Sequence, residues 1–399
     1  MNTIKALTFD TEKDGWDKSR GFTLREVPRP VLDENNPEDQ LSVILKIRYA
    51  GVCGTDRGLW YRQAFKELLH RSLKNEGKTM RILGHEFVGE IVEMGSMVPR
   101  LYNDLDEKNP VKIEVGALAS GDSHVTCGRC YQCRIGEEHV CLNEAILGIS
   151  IDGIFAEYVK IPAKNLWAVD ERRVRPEIAA IYDPFGNAVH ACTVTDFRGQ
   201  RVAIFGCGPI GLFAILLAKH FGAAKIIAAD VNPANLKTAK ALGAHETILI
   251  KKDDKENDWE SDKDAVKKIM QLTYGKGVDI SMEMAGPPSS LNNCIESTRR
   301  GGHVIAFGIK DGNMTIPNFS RNVIVRGLTI HGLIGRQIFR TWQIAQRMLS
   351  DRSNGIQDAI WETILLKGKG TVLDFKKFTP ESFEEALNKY PKIAFKING

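Results

Sequence analysis

The chain has 399 residues, 43% of them apolar and 26% charged, which is ordinary soluble composition and enough for two domains with separate cores. A net charge of +4 is too small for this length to suggest a nucleic-acid or membrane partner, and no apolar run reaches the roughly 18 residues of a membrane span. The opening residues lack the long apolar core of an export signal, so the cytoplasm is the expected location.

Residues 1–60 read as strands and turns. A β-branched-rich strand over 41–52 ends at Cys53-Gly54-Thr55-Asp56, which reads as a turn with a thiol at its start. Residues 61–78 read as one amphipathic helix, and strand pattern returns over 83–92 around His85-Glu86, between Gly84 and Gly89. On its own, a His-Glu pair is a weak signal. The polar stretch 99–114 reads as a loop. Cys127, Cys130, Cys133 and Cys141 follow with the spacing C-x2-C-x2-C-x7-C. Short gaps let four thiolates converge on one ion, so a closed, structural Zn²⁺ site is expected, with an iron–sulfur cluster as the competing metal. Cys192, Cys207 and Cys294 read as unliganded apolar packing. Residues 152–159 read as a turn and strand. Further on, Pro184 is expected to bias Asp183 away from helix and hold its carboxylate at a helix entrance.

From Arg201 the pattern changes. Strands are expected at 202–206, 226–230, 246–250, 278–284, 303–308 and 328–333, with helices at 212–221, 234–242, 265–274 and 289–299. Strands that alternate with helices imply an α/β, Rossmann doubly wound parallel sheet. Gly206-x-Gly208-x-x-Gly211 lies between the first strand and first helix, where its glycines make the turn, admit a pyrophosphate and let helix pack on strand. Asp230 ends the second strand, where a carboxylate accepts ribose hydroxyls and repels a 2′-phosphate, so NAD is expected over NADP. The charged run 251–264 reads as a solvated surface loop. Helices are expected again at 339–350 and near 380–388, in a segment that crosses back to complete the first domain. The expected division is 1–188, completed by 335–399, and 189–334.

Cys53-Gly-Thr-Asp, Gly84-His85-Glu86-x-x-Gly89, the four-cysteine lobe and the glycine loop, in this order, resemble the zinc-containing medium-chain alcohol dehydrogenases over nearly the whole chain. Asp152-Gly-Ile-Phe-Ala-Glu-Tyr, Asp183-Pro-Phe-Gly-Asn-Ala-Val-His and Gly335-Arg-Gln-Ile-Phe-Arg-Thr-Trp342 are most similar to the threonine dehydrogenase branch. The resemblance implies a mainly β, GroES-like catalytic domain and two zinc ions per chain. It implies Cys53, His85, Glu86 and Asp183 at the catalytic zinc, Thr55 at the reacting alcohol and His124 near the substrate. Cofactor contacts would include Ile210, Asp230, Phe307-Gly308-Ile309 and Leu333-Ile334, and the assembly would be a dimer or tetramer.

The chain departs from that pattern in three ways. Gly58 stands where threonine enzymes carry the histidine that passes the alcohol proton to solvent, which leaves His124, Glu86 or ordered water for that part, and Asn235 replaces an arginine. The segments 61–80, 100–114 and 251–264 are long. The Cys-Gly-Thr-Asp-Arg run also resembles the glucose dehydrogenases of the family. Three functions are therefore expected in order: a zinc- and NAD-dependent dehydrogenase of a small polar secondary alcohol, amino alcohol or polyol; a sugar dehydrogenase; and a non-catalytic nucleotide-binding protein.

Overall fold

The computed structural model describes residues 2–17, 19–102, 112–251 and 256–398. Residues 103–111 of the expected loop and 252–255 of the charged run lie outside them. The chain divides into two compact units, Met1–Pro184 with Gln337–Gly399, and Phe185–Arg336.

The first unit is mainly β. Thr3–Asp10 pairs antiparallel with Thr23–Pro28 on one side and Met80–Ile82 on the other. A larger sheet is centred on Ser42–Val52, which pairs with Glu86–Met94, Tyr158–Pro162 and the last strand, Ile393–Lys396. The C-terminal segment contributes to the same core, where Phe383 stacks on Phe395 at 5.4 Å and meets Trp60 at 4.6 Å.

Four short stretches differ from the sequence-based expectation, the first being Val98–Tyr102, a short helix where the expected loop begins. Cys53-Gly-Thr-Asp is not a free turn: Cys53 caps a helix, Gly54–Trp60, whose first turn contains Asp56. Residues 61–78 are not one helix. Arg62 (φ 59°) and Phe65 (φ 66°) are left-handed, a conformation non-glycine residues rarely hold, so the helix is only Lys66–Glu76. Asp183 lies within the first turn of Tyr182–Thr193. Pro184 is tolerated beside it because first-turn N–H groups have no intrahelical acceptor to lose.

His85 precedes its strand on a floor built from glycines. Gly84 has φ +85°, and a Cβ there would lie 2.4 Å from the Phe155 ring. A Cβ on Gly153 would lie 2.2 Å from the Gly84 carbonyl oxygen. Gly84→Ala is therefore expected to cost about 3 kcal/mol, from left-handed strain plus overpacking. Denaturant unfolding checks this, and a loss below about 1 kcal/mol would contradict the packing argument.

The second unit is a six-stranded parallel sheet. Its order is Glu246–Leu249, Lys225–Asp230, Arg201–Phe205, Val278–Glu283, Thr298–Ala306 and Thr329–Gly332. That is the 3-2-1-4-5-6 order of a dinucleotide-binding sheet, with its switch point at the carboxyl end of Arg201–Phe205. Helices Pro209–His220, Pro233–Leu242, Lys263–Leu272 and Pro288–Ser297 fall between the strands. The charged run is not wholly solvated. Ser261 and Asp262 are buried, with the Ser261 hydroxyl donating to Glu296 at 2.7 Å and the Asp262 N–H to Asn293 at 2.7 Å. No helix among the described residues is long and apolar enough to cross a membrane.

Candidate metal centre and nucleotide site

Two clusters of ligand-type side chains stand in the first unit. Cys53, His85 and Glu86 bring one sulfur, one ring nitrogen and one carboxylate oxygen within 4.8 Å of one another. Strand pairing explains the meeting: Gly51, two residues before Cys53, lies opposite Glu86. A Cβ at Gly51 would sit 2.1 Å from Glu86 Oε2, so only glycine leaves room for that carboxylate. His85 and Glu86 are both buried.

Two partners of this cluster escaped the sequence reading. Asp56 Oδ2 accepts the Cys53 N–H at 2.8 Å, and its Oδ1 faces His85 Nδ1 at 3.7 Å, with neither of these last two atoms hydrogen-bonded among the described residues. The signal was present, since Asp56 closes the Cys-Gly-Thr-Asp run at a position where an acid caps a helix. Burial alone would lower the His85 imidazolium, but Asp56 and the Cys53 thiol push it up to about 10. The pocket thus stabilises positive charge, which a bound cation also supplies. The second partner is Lys392. Its Nζ donates to the Val52 carbonyl at 2.8 Å and bonds Glu86 Oε2, with both side chains wholly buried. Among the described residues, Glu86 Oε1 has no hydrogen-bond partner.

Asp183 is not within the 4.8 Å set, although its charge acts on both His85 and Glu86. Thr55 Oγ1 is 3.9 Å from Cys53 Sγ. His124 Nδ1 lies 2.8 Å from Glu144 Oε2. At Gly58 an added Cβ would approach Ala64 Cβ to 3.0 Å, so the turn that opens the 61–80 segment crowds the position from which the relay histidine is missing.

Cys127, Cys130, Cys133 and Cys141 form the second cluster, with their sulfurs within 4.8 Å of one another. Backbone N–H groups point at these sulfurs: Cys130 N–H to Cys127 and Cys127 N–H to Cys141, both at 3.3 Å. N–H groups of Arg129 and Cys130 hold the Cys127 thiol down to about 6. All eight cysteines are free thiols.

In the second unit, Gly206 has φ +96°, and a Cβ on Gly211 would fall 1.9 Å from the Gly206 carbonyl oxygen. Gly208 faces open space, as a phosphate cradle requires. Ile210 lies in the first turn of the helix that follows. Asp230 ties this loop to the second strand, accepting the Cys207 N–H at 2.5 Å and the Asn232 N–H at 2.6 Å. Phe307-Gly308-Ile309 and Leu333-Ile334 follow the carboxyl ends of two neighbouring strands.

Residues 39–171 match the alcohol dehydrogenase GroES-like domain, and residues 209–351 match the zinc-binding dehydrogenase domain. The L-threonine 3-dehydrogenase of Bacillus subtilis (strain 168) is 35% identical over 352 residues, covering 87% of this chain and 88% of its own length. The chain belongs to the zinc-containing medium-chain alcohol dehydrogenases. A second member, the L-threonine 3-dehydrogenase of Caldanaerobacter subterraneus subsp. tengcongensis, is 34% identical over 346 residues, 87% of each chain. Two solved structures share the fold. Alcohol dehydrogenase from Thermus sp. ATN1 matches with a TM-score of 0.75 at 23% identity, covering 99% of this chain and 100% of that one. Galactitol-1-phosphate dehydrogenase from Escherichia coli matches with a TM-score of 0.74 at 21% identity, covering 98% and 100%.

This medium-chain alcohol dehydrogenase uses zinc and NAD(P). Its residues fit both groups. One cluster offers sulfur, nitrogen and a buried carboxylate oxygen that lacks any partner; the other offers four thiols with N–H groups aimed at sulfur. The glycine loop offers a cradle that a Cβ at Gly211 would fill.

Proposed function

We propose that this enzyme oxidises a small polar secondary alcohol of the L-threonine kind, with NAD as acceptor. The observation that carries the reading is the Cys53–His85–Glu86 set, its histidine and glutamate buried, with Asp56 behind the histidine, in a chain whose curated relatives are named L-threonine 3-dehydrogenase. When bound, zinc polarises the alcohol oxygen and the nicotinamide ring accepts the hydride.

The chain's own residues do the rest. Asp56 faces His85 Nδ1 at 3.7 Å, which leaves Nε2 as the nitrogen to offer the metal. Lys392 occupies one oxygen of Glu86 and leaves the other for the metal side. Asp183 adds negative charge beside both. Thr55, next to Cys53, offers its hydroxyl to the departing alcohol proton. Gly58 carries no relay, so His124 takes that part. The four-thiol lobe holds the structural zinc. Gly206, Gly208, Ile210, Gly211, Phe307-Gly308-Ile309 and Leu333-Ile334 frame the nucleotide.

Asp230 sets the preference for NAD. Its two oxygens already receive backbone N–H groups, yet each retains a lone pair for a ribose hydroxyl. Asp230→Ser is expected to raise KM for NAD about tenfold and to narrow its advantage over NADP, on the worth of a charged hydrogen bond. The ratio of kcat/KM for the two cofactors measures this, and faster reduction of NADP than NAD by the unaltered enzyme would overturn the assignment.

A sugar dehydrogenase is the second reading, favoured by the Cys53-Gly-Thr-Asp-Arg57 run with Gly58 in place of the relay histidine. Screening L-threonine, polyols and aldoses with both cofactors separates the two. L-Threonine with NAD is the expected pair, and turnover of an aldose but not of L-threonine would replace the first reading by the second.

A further inference from the structure

A second acid–imidazole pair, His124 with Glu144, stands in the same unit of the fold and outside the catalytic ligand set. The strand Glu86–Met94 runs antiparallel to Leu118–Gly121, with Val88 opposite Ser120. Asp122 and His124 follow Ser120 at the end of that ladder toward Glu86. That end is firmly held. Asn165 donates to the carbonyls of Asp122 at 2.9 Å and His124 at 2.8 Å, and the His124 N–H meets Asp122 Oδ1 at 2.9 Å. Trp342 Nε1 donates to Asp122 Oδ2 at 2.9 Å, and its ring packs 5.7 Å from that of Tyr182, the neighbour of Asp183.

The hairpin His124–Val125 with Ala145–Ile146 pairs His124 with Ile146. Glu144 is then the diagonal neighbour on the same face, within reach of a long side chain. Its Oε2 lies 2.8 Å from His124 Nδ1. An ionised carboxylate only accepts, so Nδ1 carries the hydrogen and Nε2 has the free lone pair. The two side chains are 17% and 27% exposed, which leaves the pair open to water.

We propose that Glu144 is a positioning residue that fixes His124 as the Nδ1–H tautomer, so that Nε2 takes the alcohol's proton and passes it to water. The inference rests on the role given to His124 above and adds the group that makes it work. The alcohol O–H bond breaks with its electron pair left on oxygen, an N–H bond forms at Nε2, and the imidazolium returns that proton to water or a buffer base. One proton leaves for each alcohol oxidised. Glu144 keeps its charge throughout and steadies the imidazolium, the part a buried acid plays behind a catalytic histidine. The pair thus replaces a relay whose family position, Gly58, is crowded by the Ala64 turn.

The test uses the full-length, zinc-loaded chain and its Glu144→Leu, Glu144→Gln and His124→Asn variants. Long-range proton–nitrogen spectra of ¹⁵N-histidine-labelled protein need no substrate. The ring signal that disappears in His124→Asn is expected to show the Nδ1–H form, to keep it in Glu144→Gln, whose amide oxygen still accepts, and to lose it in Glu144→Leu. With L-threonine and NAD, Glu144→Leu is expected to lower kcat at least about tenfold with little change in KM. Imidazole in the buffer should restore part of that loss, and the double variant should be no slower than His124→Asn. Unchanged kcat in His124→Asn would sink the role of His124 itself. An unchanged tautomer in Glu144→Leu, or a loss of rate in His124→Asn with none in Glu144→Leu, would overturn the role of Glu144 alone.

Discussion

Cys53→Ser is expected to lower kcat/KM by more than about a hundredfold, since even the groups behind metal ligands are worth 10- to 100-fold. Serine keeps the size of the side chain but is a much poorer zinc ligand than a thiolate. Cys53 is only partly buried and caps the helix Gly54–Trp60, while the fixed acceptor for its N–H is Asp56 Oδ2. Helix and strand should therefore survive the change. The variant is expected to unfold at nearly the temperature of the parent and to bind NAD as tightly, because the glycine loop lies in the other unit. Steady-state rates with thermal unfolding and NAD titration check this. A variant retaining a tenth or more of the parent rate would remove Cys53 from the reaction.

Lys392→Met should have the largest effect on stability. Lys392 and Glu86 have no solvent exposure, so the change strands a carboxylate in a place where water cannot compensate it. Breaking one side of such a pair typically costs about 3–5 kcal/mol. The Val52 carbonyl loses its donor as well. Replacing both members, Glu86→Gln with Lys392→Met, should recover most of the loss, because the penalty comes from the orphaned charge and not from the missing attraction. Urea unfolding of the single and double variants measures the difference. A single variant as stable as the parent, or a double variant worse than the single, would contradict a charged pair here.

How much was legible follows from how each feature is written in the chain. The four-thiol lobe and the glycine loop are local: their ligands or glycines lie within a few residues, and short spacing is itself the geometry. The parallel sheet was legible because each strand is a short apolar run between helices, whereas the strand order came only from the structure. The Cys53 helix was misread as a turn because Gly54, Thr55 and Asp56 favour turns, although an acid three residues after a cap also starts helices. Asp183 was misplaced because the restriction that proline puts on its predecessor yields to a first helical turn.

Lys392 and Glu144 carried no signal in the sequence. Lys392 reaches Glu86, 306 residues away in sequence, because Ile393–Lys396 pairs with Ser42–Val52. Glu144 reaches His124 across a two-residue ladder too short to be read from periodicity. The absent relay at Gly58 was visible as a missing histidine, but the Ala64 Cβ that crowds the position was not.

The central claim is a catalytic zinc at Cys53 and His85, separate from a structural one in the four-thiol lobe, and metal analysis of the purified chain tests it most directly. About two zinc ions per chain are expected, falling to about one in Cys53→Ser. A single zinc in the parent, lost in Cys130→Ser and untouched by Cys53→Ser, would contradict it.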